Sequence, residues 1–305
     1  MKKHPPIFLI VFLIQTGHAQ TGSIHYFGCV PPADSAVVFA PGIVSLPDRQ
    51  EYTVVFSPAG DACYLTAAGS DNISRIYMTE YTGDSWSEQN PVPFSGNQNT
   101  ELSSLSADGN RLYYSKGGDI WMVDRIGDEW RESRRLPYPV NTDFTDAFYS
   151  ATGDKTGYLY SNRPGDHGEN FDIWRVVRTD NRSLRAQSLH SAVNSSNLQV
   201  TPCIAPDKSF LIFSQPVDYW FKLFICFLKD DGYWTAPVDM DVTGAGINVL
   251  SQNCPTLSPD GEFLFFNRHD QTESGAISNI YWVSTHVIHD IKNRVFGESG
   301  HSGVK

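Results

Sequence analysis

Apolar and polar positions alternate along most of the chain in short runs that end at Asp-Gly-like turns. The clearest run, Leu257 to Phe266, has the sequence LSPDGEFLFF: an apolar strand, a turn and a second strand rich in aromatic residues. Such alternation predicts half-buried β-strands. Glycine can take the positive φ that these turns need, which we expect at Gly60, Gly109, Gly153 and Gly261. The pattern occurs five times, at spacings of 44 to 55 residues. The copies are anchored at Ser57, Ser106, Ser150, Ala205 and Ser258.

Each copy continues into two further predicted strands. The third strand carries an Ile-aromatic signature, as in Asp119-Ile120-Trp121 and Asp172-Ile173-Trp174. A polar turn with tryptophan and a Pro-containing strand follow, and proline suits an outer edge because it lacks an N–H. A four-stranded antiparallel sheet cannot bury both faces alone, whereas such sheets packed around an axis can. The sequence therefore predicts an all-β propeller of five four-stranded antiparallel blades. Six blades are the alternative, if residues 22–40 or the C-terminal tail form a degenerate blade.

The ends of the repeat region indicate how the ring closes. The last copy has three strands but no clear fourth, and we expect the N-terminal strand around Ile43-Val44 to supply it. The predicted organisation is a signal peptide (1–19), an N-terminal extension (20–35), one propeller domain (36–285) and a C-terminal tail (286–305).

The first residues have the features of an export signal. Lys2 and Lys3 precede an apolar core, Ile7 to Ile14, and small residues at Gly17 and Ala19 suit a cleavage site. This core is shorter than the roughly 20 residues that span a bilayer. We expect an exported protein, periplasmic or extracellular, that does not insert into the membrane.

Charge and cysteine content narrow the function classes. The net charge is −11 with no cluster of Lys or Arg, which argues against nucleic acid as a partner. The cysteine count is five, so the cysteines cannot all pair within one chain. Cys203 and Cys254 fall close in the repeat register and could form one bridge; buried free thiols are the alternative.

These motifs resemble a known family. The Ser-Pro-Asp-Gly turn, the segment Ser161 to Asp166 and the Asp172-Ile173-Trp174 signature resemble WD40-like propeller repeats of the TolB type, called PD40. Phe39 to Gly42 and Asn279 to Trp282 resemble a group of small exported bacterial PD40 proteins. The resemblance covers about residues 36–285. It implies the fold but no particular function, since propellers host many activities. One departure is Lys208, which replaces the turn glycine of the fourth copy.

The inner strand of each blade should place one polar residue near the central channel. These residues precede the anchors: Glu51, Glu101, Asp146, Gln199 and Gln252. Three carboxylates near one axis could hold a cation through oxygen ligands or act in acid–base catalysis. The alternative is a solvated polar channel without chemistry.

A polar insertion, Arg163 to Asp172, provides a second candidate site. Its residues Asp166, His167 and Glu169 could bind Ca²⁺ or a sugar, although their spacing does not match a twelve-residue Ca²⁺ loop. A glycine-rich turn is the alternative. Three tryptophans could stack on sugars, but they recur at one repeat position, which favours packing between blades. They are Trp86, Trp130 and Trp234.

The function expected from these features is binding. The sequence contains no G-x-S-x-G elbow and no phosphate-binding or dinucleotide fingerprint. We expect a monomeric, non-catalytic propeller without a resident metal or cofactor, Ca²⁺ being the one candidate. It would bind a protein, peptide or glycan through its loop face or axial channel. The alternative is a carbohydrate-active hydrolase or lyase that uses axial carboxylates, for which the geometry of Glu51, Glu101 and Asp146 is decisive.

Overall fold

The computed structural model describes residues 25–154, 156–165, 167–179, 183–242, 249–273 and 275–297. The predicted signal peptide, residues 1–19, lies outside these ranges.

Within the described residues the chain forms five antiparallel sheets, the blades of a propeller. A two-residue strand, β1 (Val37–Val38), comes first. Blade 1 contains β2 (Gln50–Phe56), β3 (Ala62–Ala68), β4 (Ser74–Glu80) and β5 (Asn90–Pro91). Blade 2 contains β6 (Glu101–Leu105), β7 (Arg111–Lys116) and β8 (Asp119–Ile126), with the short strands β9 (Glu129–Trp130) and β10 (Arg134–Arg135) both pairing with β8. Blade 3 contains β11 (Asp146–Ala151), β12 (Gly157–Ser161), β13 (Asp172–Arg178) and β14 (Leu184–Ser188), and the short helix α1 (His190–Val193) follows it. Blade 4 contains β15 (Val200–Ile204), β16 (Phe210–Val217), β17 (Trp220–Phe227) and β18 (Val238–Asp239). Blade 5 contains β19 (Val249–Leu257), β20 (Phe263–Thr272) and β21 (Gly275–Ser284), and the helix α2 (His286–Gly297) follows.

The blades form a closed ring around one axis. The first strands of the blades, here called the inner strands, contact one another in sequence, and β19 of blade 5 contacts β2 of blade 1. Hydrogen bonds cross the blade boundaries at this radius: Leu102 N–H donates to Thr66 Oγ1 at 2.8 Å, and Thr256 Oγ1 donates to the Val54 carbonyl at 2.7 Å. The predicted five-bladed architecture is confirmed.

The turn between the first two strands repeats almost unchanged. The amide of Gly60 donates to the carbonyl of Ser57, and the amides of Gly109 and Gly261 make the equivalent bonds. These three glycines have φ between 71° and 76°, and Lys208, which lacks glycine's freedom, takes the same conformation with φ 63°. We expected positive φ at Gly153 as well, and this was wrong, because that copy has one more residue and its turn closes between Thr152 and Thr156 instead.

The N-terminal strand closes the ring, but six residues before the predicted position. Val37 and Val38 pair with Trp282 and Tyr281 as the outermost strand of blade 5. The predicted pair, Ile43-Val44, lies in a tight turn in which the amides of Ile43 and Val44 both donate to the Ala40 carbonyl. Val44 is buried in the core rather than paired in a sheet.

Aromatic side chains from both ends of the chain pack at this closure. Phe39 is fully buried, with its ring centroid 4.9 Å from that of Phe265 and 5.1 Å from that of Trp282. Tyr26, from the N-terminal extension, packs on Phe56 and donates to Asp260 Oδ2 at 2.8 Å. The blade 5–blade 1 boundary is thus an aromatic core.

Residues 286–297, within the predicted tail, form helix α2 against blades 4 and 5. Ile288 and Ile291 are buried, and the Phe296 ring lies 6.0 Å from Phe227. His286 and His289 are exposed on this helix. Neither helix of the described chain is long and apolar enough to cross a membrane.

The repeated tryptophans pack between elements, as the sequence indicates. Trp86 stacks on Phe27 with ring centroids 4.4 Å apart, and Trp130 packs edge-on against Phe94 of the neighbouring blade at 5.1 Å. The five cysteines are free thiols, Cys203 and Cys254 included.

Candidate functional site

The channel along the propeller axis has an upper end, where the inner strands begin, and a lower end, where they finish. A β-bulge interrupts each inner strand. In blades 3 to 5 the bulge residue has positive φ without being glycine: Phe148 at 56°, Thr201 at 49° and Cys254 at 53°. Such conformations are costly for residues with a Cβ, and bulges of this kind occur next to functional sites.

The upper end of the channel holds a cavity of about 330 Å³, here called the upper cavity. Aromatic side chains from three blades line it: Tyr52, Tyr160, Phe171 and Phe221. His269 of blade 5 lies beside Tyr52, with ring centroids 6.4 Å apart, and Tyr160 packs edge-on against Phe171 at 5.5 Å. All five side chains are half-buried, so their rings remain accessible from the channel.

Glu101 of blade 2 provides the charge at this end. It is the first residue of inner strand β6, its side chain is exposed, and among the described residues it has no salt-bridge partner. The protein atoms around it nevertheless raise the pKa of its carboxyl by desolvation. Burial is the main cause of the raised pKa values of Tyr52, Tyr160 and Cys254, and the negative charge of Glu101 raises each of them further, so Glu101 is electrostatically coupled to all three.

Glu51 occupies the equivalent position in blade 1 but turns into the protein. Its side chain is fully buried, and Oε1 accepts from Arg49 Nε at 2.9 Å and from the Leu46 amide at 3.2 Å. Oε2 is buried without a hydrogen-bond partner in the described structure. Burial raises the pKa of Glu51 to about 7, although Arg49 opposes the shift.

Asp146 is likewise committed to structural contacts. It is fully buried, Oδ2 accepts from the amide and hydroxyl of Thr142, and Oδ1 accepts from Arg163. Arg163 also donates to the carbonyls of Pro139 and Val140. The Asp146–Arg163 ion pair therefore stabilises the loop that leads into blade 3.

The side chains of the two predicted glutamines are also buried. Gln199 is buried, its Oε1 accepts from the Ser195 amide at 3.1 Å, and its Nε2 donates to Gln215. Gln252 is 2% exposed, and its Nε2 has no partner in the described structure. Of the five predicted channel residues, Glu101 is therefore the one whose side chain is exposed.

The lower end of the channel is a different environment. A cavity of about 290 Å³ is lined by the last residues of the inner strands and by the prolines of the repeated turns. Cys203 lies here, and burial raises the pKa of its thiol to about 12, so it is protonated at neutral pH. This end offers small and apolar groups rather than charge.

The predicted loop site is described only in part. Asp166 lies outside the described residues. His167 is half-buried with Nδ1 3.8 Å from Asp172 Oδ2, and Glu169 is exposed. Among the residues described, no group of three or more His, Cys, Asp or Glu side chains is arranged to hold a metal ion. Ca²⁺ binding stays a prediction.

Sequence reasoning missed Tyr52, Tyr160 and His269. The pairing of first and second strands in each blade contains the signal that would have found them. Tyr160 pairs with Ala147 and His269 with Ser251, so the last residues of the second strands reach the same height as the first residues of the inner strands. Comparing these strand ends across the repeats would have revealed the aromatic lining.

The solved structures to which this chain is similar include TolB proteins and an endo-arabinanase. A TolB-type protein from Agrobacterium tumefaciens is 17% identical, with 82% of this chain and 77% of that chain covered and a TM-score of 0.45. TolB from Acinetobacter baumannii is 14% identical, with 79% and 68% covered and a TM-score of 0.40. A GH43 endo-arabinanase from Bacillus licheniformis is 13% identical, with 79% and 96% covered and a TM-score of 0.47. No family model and no curated protein matches the chain.

Proposed function

We propose that this protein is an exported, non-catalytic β-propeller that binds a protein, peptide or glycan at the upper mouth of its axial channel. The observation that carries the proposal is the upper cavity, where Tyr52, Tyr160, Phe171 and Phe221 surround an open space beside Glu101. Aromatic lining with a few polar groups is typical of ligand pockets.

Exposed aromatic residues extend this surface beyond the cavity. Tyr219 is 91% exposed and Trp220 is 49% exposed, and both directly precede Phe221 of the cavity wall. Tyrosine and tryptophan are enriched in binding surfaces because they give a large contact area at a small entropic cost. A ligand that enters the cavity can therefore also contact the turn between β16 and β17.

The axial carboxylates support binding over hydrolysis. Glycoside hydrolases use two carboxyl groups that flank the scissile bond. Asp146 is held by Arg163 and Thr142, and Glu51 is buried against Arg49. One accessible carboxylate, Glu101, remains at the axis, which suits recognition of a ligand.

Membership of the PD40 group, export and a monomeric state are part of the proposal. The five Asp-Gly-like turns and the Lys-rich, apolar N-terminal segment of the sequence support the first two. Closure of the ring within one chain supports the third, since each blade in the described part of the chain has an outer strand from this same chain.

The test compares binding by the full-length chain with a cavity variant on a glycan array and in peptide pull-downs. In Tyr52→Ala/Tyr160→Ala, loss of two anchors should weaken a ligand retained by the wild type by at least about tenfold. The control is Tyr233→Ala, a 70% exposed tyrosine in the turn between β17 and β18, at the opposite face. Equal binding by the wild type and the cavity variant would place the site elsewhere. Repeating the assay with Ca²⁺ and with a chelator tests the predicted Ca²⁺ site.

A further inference from the structure

We propose that the upper cavity is a site for an organic ammonium group, held against the rings of Tyr52 and Tyr160 and paired with the carboxylate of Glu101. This inference rests on the proposed function and names the chemistry of its ligand. The ammonium can belong to a small quaternary amine or to a lysine side chain of a peptide.

Four blades contribute side chains to the lining: Tyr52 comes from blade 1, Tyr160 from blade 3, Phe221 from blade 4 and His269 from blade 5. Glu101 begins the inner strand of blade 2, at the same end of the channel, and its charge contributes to the raised pKa of Tyr52 and Tyr160. Rings that surround a space from several directions stabilise a cation through the negative faces of their π systems, and the effect is larger where the cation is desolvated. The arrangement is therefore that of an aromatic cage with a carboxylate on one side.

The charges around the cavity favour a cation over other ligands. Glu101 has no salt-bridge partner among the described residues, and desolvation is the cause of its raised pKa, with no neighbouring cation opposing the shift. Burial lowers the pKa of His269, so this ring is neutral at pH 7 and does not compete for the carboxylate. Three basic side chains at this end of the propeller have partners of their own. Arg49 pairs with Glu51, Lys222 pairs with Asp239, and Lys116, which follows the residue paired with Glu101, lies over the Trp121 ring. An ammonium ligand would supply the positive partner that the described residues do not give Glu101.

Other ligand classes fit this environment less well. An anion would be repelled by Glu101 in a partly desolvated site. A neutral sugar could stack on the rings but would leave the carboxylate without a counter-charge, and partly buried charges are stabilised by pairing. An ammonium satisfies both the rings and the carboxylate, and the cavity of about 330 Å³ is large enough for a trimethylammonium or a lysine side-chain end.

The test uses a charged probe and its neutral isostere. Choline and 3,3-dimethylbutan-1-ol have the same shape but differ by one positive charge. We expect the wild-type chain to bind choline at least about tenfold more tightly than the alcohol in NMR titrations, a difference that corresponds to about 1.4 kcal/mol. In Glu101→Gln this ratio should fall towards one. Glu132→Gln removes an equal charge from an exposed position of blade 2 and should keep the ratio.

A second pair of probes distinguishes the source of the ammonium. Nα-acetyl-lysine methylamide and its Nε-acetylated form differ in side-chain charge alone. Preference for the charged lysine over choline indicates a peptide ligand, and the reverse indicates a small quaternary amine. The affinity of the preferred probe should also decrease as the pH falls through the raised pKa of Glu101, in the wild type but not in Glu101→Gln.

Two results would overturn the inference. One is equal binding of each charged probe and its neutral counterpart. The other is the absence of saturable binding by both charged probes. If array ligands still bind through Tyr52 and Tyr160 in these cases, the proposed function stands and the ammonium assignment alone fails.

Discussion

Phe39 joins the first strand of the chain to the last blade, and its truncation tests ring closure directly. The side chain is fully buried, and its ring contacts Phe56 of blade 1 together with Phe265 and Trp282 of blade 5. Phe39→Ala removes most of this ring and leaves a cavity between rigid aromatic neighbours that cannot collapse. Substitutions of this kind cost about 3 to 5 kcal/mol.

The expected loss is measurable by thermal and urea unfolding. For a domain of this size, 1 kcal/mol corresponds to about 2 to 4 °C, so the Tm of Phe39→Ala should fall by roughly 6 to 20 °C. Urea midpoints, followed by tryptophan fluorescence and by circular dichroism, provide the free energy of unfolding. Both signals should shift together if the ring unfolds as one unit.

The control is Phe94→Ala, at the boundary between blades 1 and 2. This ring is half-buried and packs on Tyr114 and Trp130. Its truncation should cost less, because part of its surface is already in water. A loss in Phe39→Ala no larger than that in Phe94→Ala would refute the role assigned to Phe39 at the closure.

Three further predictions concern single positions. Glu51→Gln should make the free energy of unfolding depend less on pH. The pKa of Glu51 is raised from 4.5 in the unfolded chain to about 7 in the folded protein, so between these pH values the folded state holds a proton that the unfolded state releases. The contribution of this group to wild-type stability therefore falls as the pH rises from 4.5 to 7. The stability contributed by Glu51 should change by about 3 kcal/mol over this range, which urea midpoints measured at several pH values would show. Equal pH dependence of the midpoint in Glu51→Gln and in the exposed control Glu88→Gln would contradict the prediction. Gly261→Val should cost about 1 to 2 kcal/mol from positive φ alone, since the position has open space around it, and Gly69→Val, without positive φ, is the control whose equal Tm loss would refute this reasoning. Asp146→Ala should cost about 3 to 5 kcal/mol because it leaves Arg163 buried without its counter-charge, whereas Asp119→Ala, which breaks a more exposed pair with Arg135, should cost at most about 1 kcal/mol in the same urea assay.

The repeat was sufficient to predict the fold because local chemistry imposes it. Each copy carries its own turn, and the turn amides of Gly60, Gly109 and Gly261 make the same hydrogen bond. Closure of the ring by an N-terminal strand was predicted, but the residues that form this strand were not. Val37-Val38 and Ile43-Val44 are both pairs of β-branched residues, and the choice between them depends on the turn at Ala40, whose φ of 42° is not evident from the sequence.

The site was predictable only in part, because repeat position does not determine what surrounds a side chain. Glu51, Glu101 and Asp146 occupy equivalent positions, yet the first meets Arg49 and the third meets Arg163. Neither arginine belongs to the strand–turn–strand run that the five copies share. Among the described residues no arginine pairs with Glu101, and its side chain stays exposed.

The pairing of β1 with β21 also has a kinetic consequence. β1 is synthesised well before its partner residues, Tyr281 and Trp282 of β21, the last of the described strands. Until blade 5 has been synthesised, β1 has no strand to pair with. Phe39 and Phe56 also lack Phe265 of blade 5, which packs against both of them. Contacts between distant parts of a sequence slow folding and leave apolar surface exposed in the meantime. We therefore expect the ring to close late in folding, after blade 5 has formed. Until then the apolar surface of blade 1 that faces blade 5 is exposed and can aggregate.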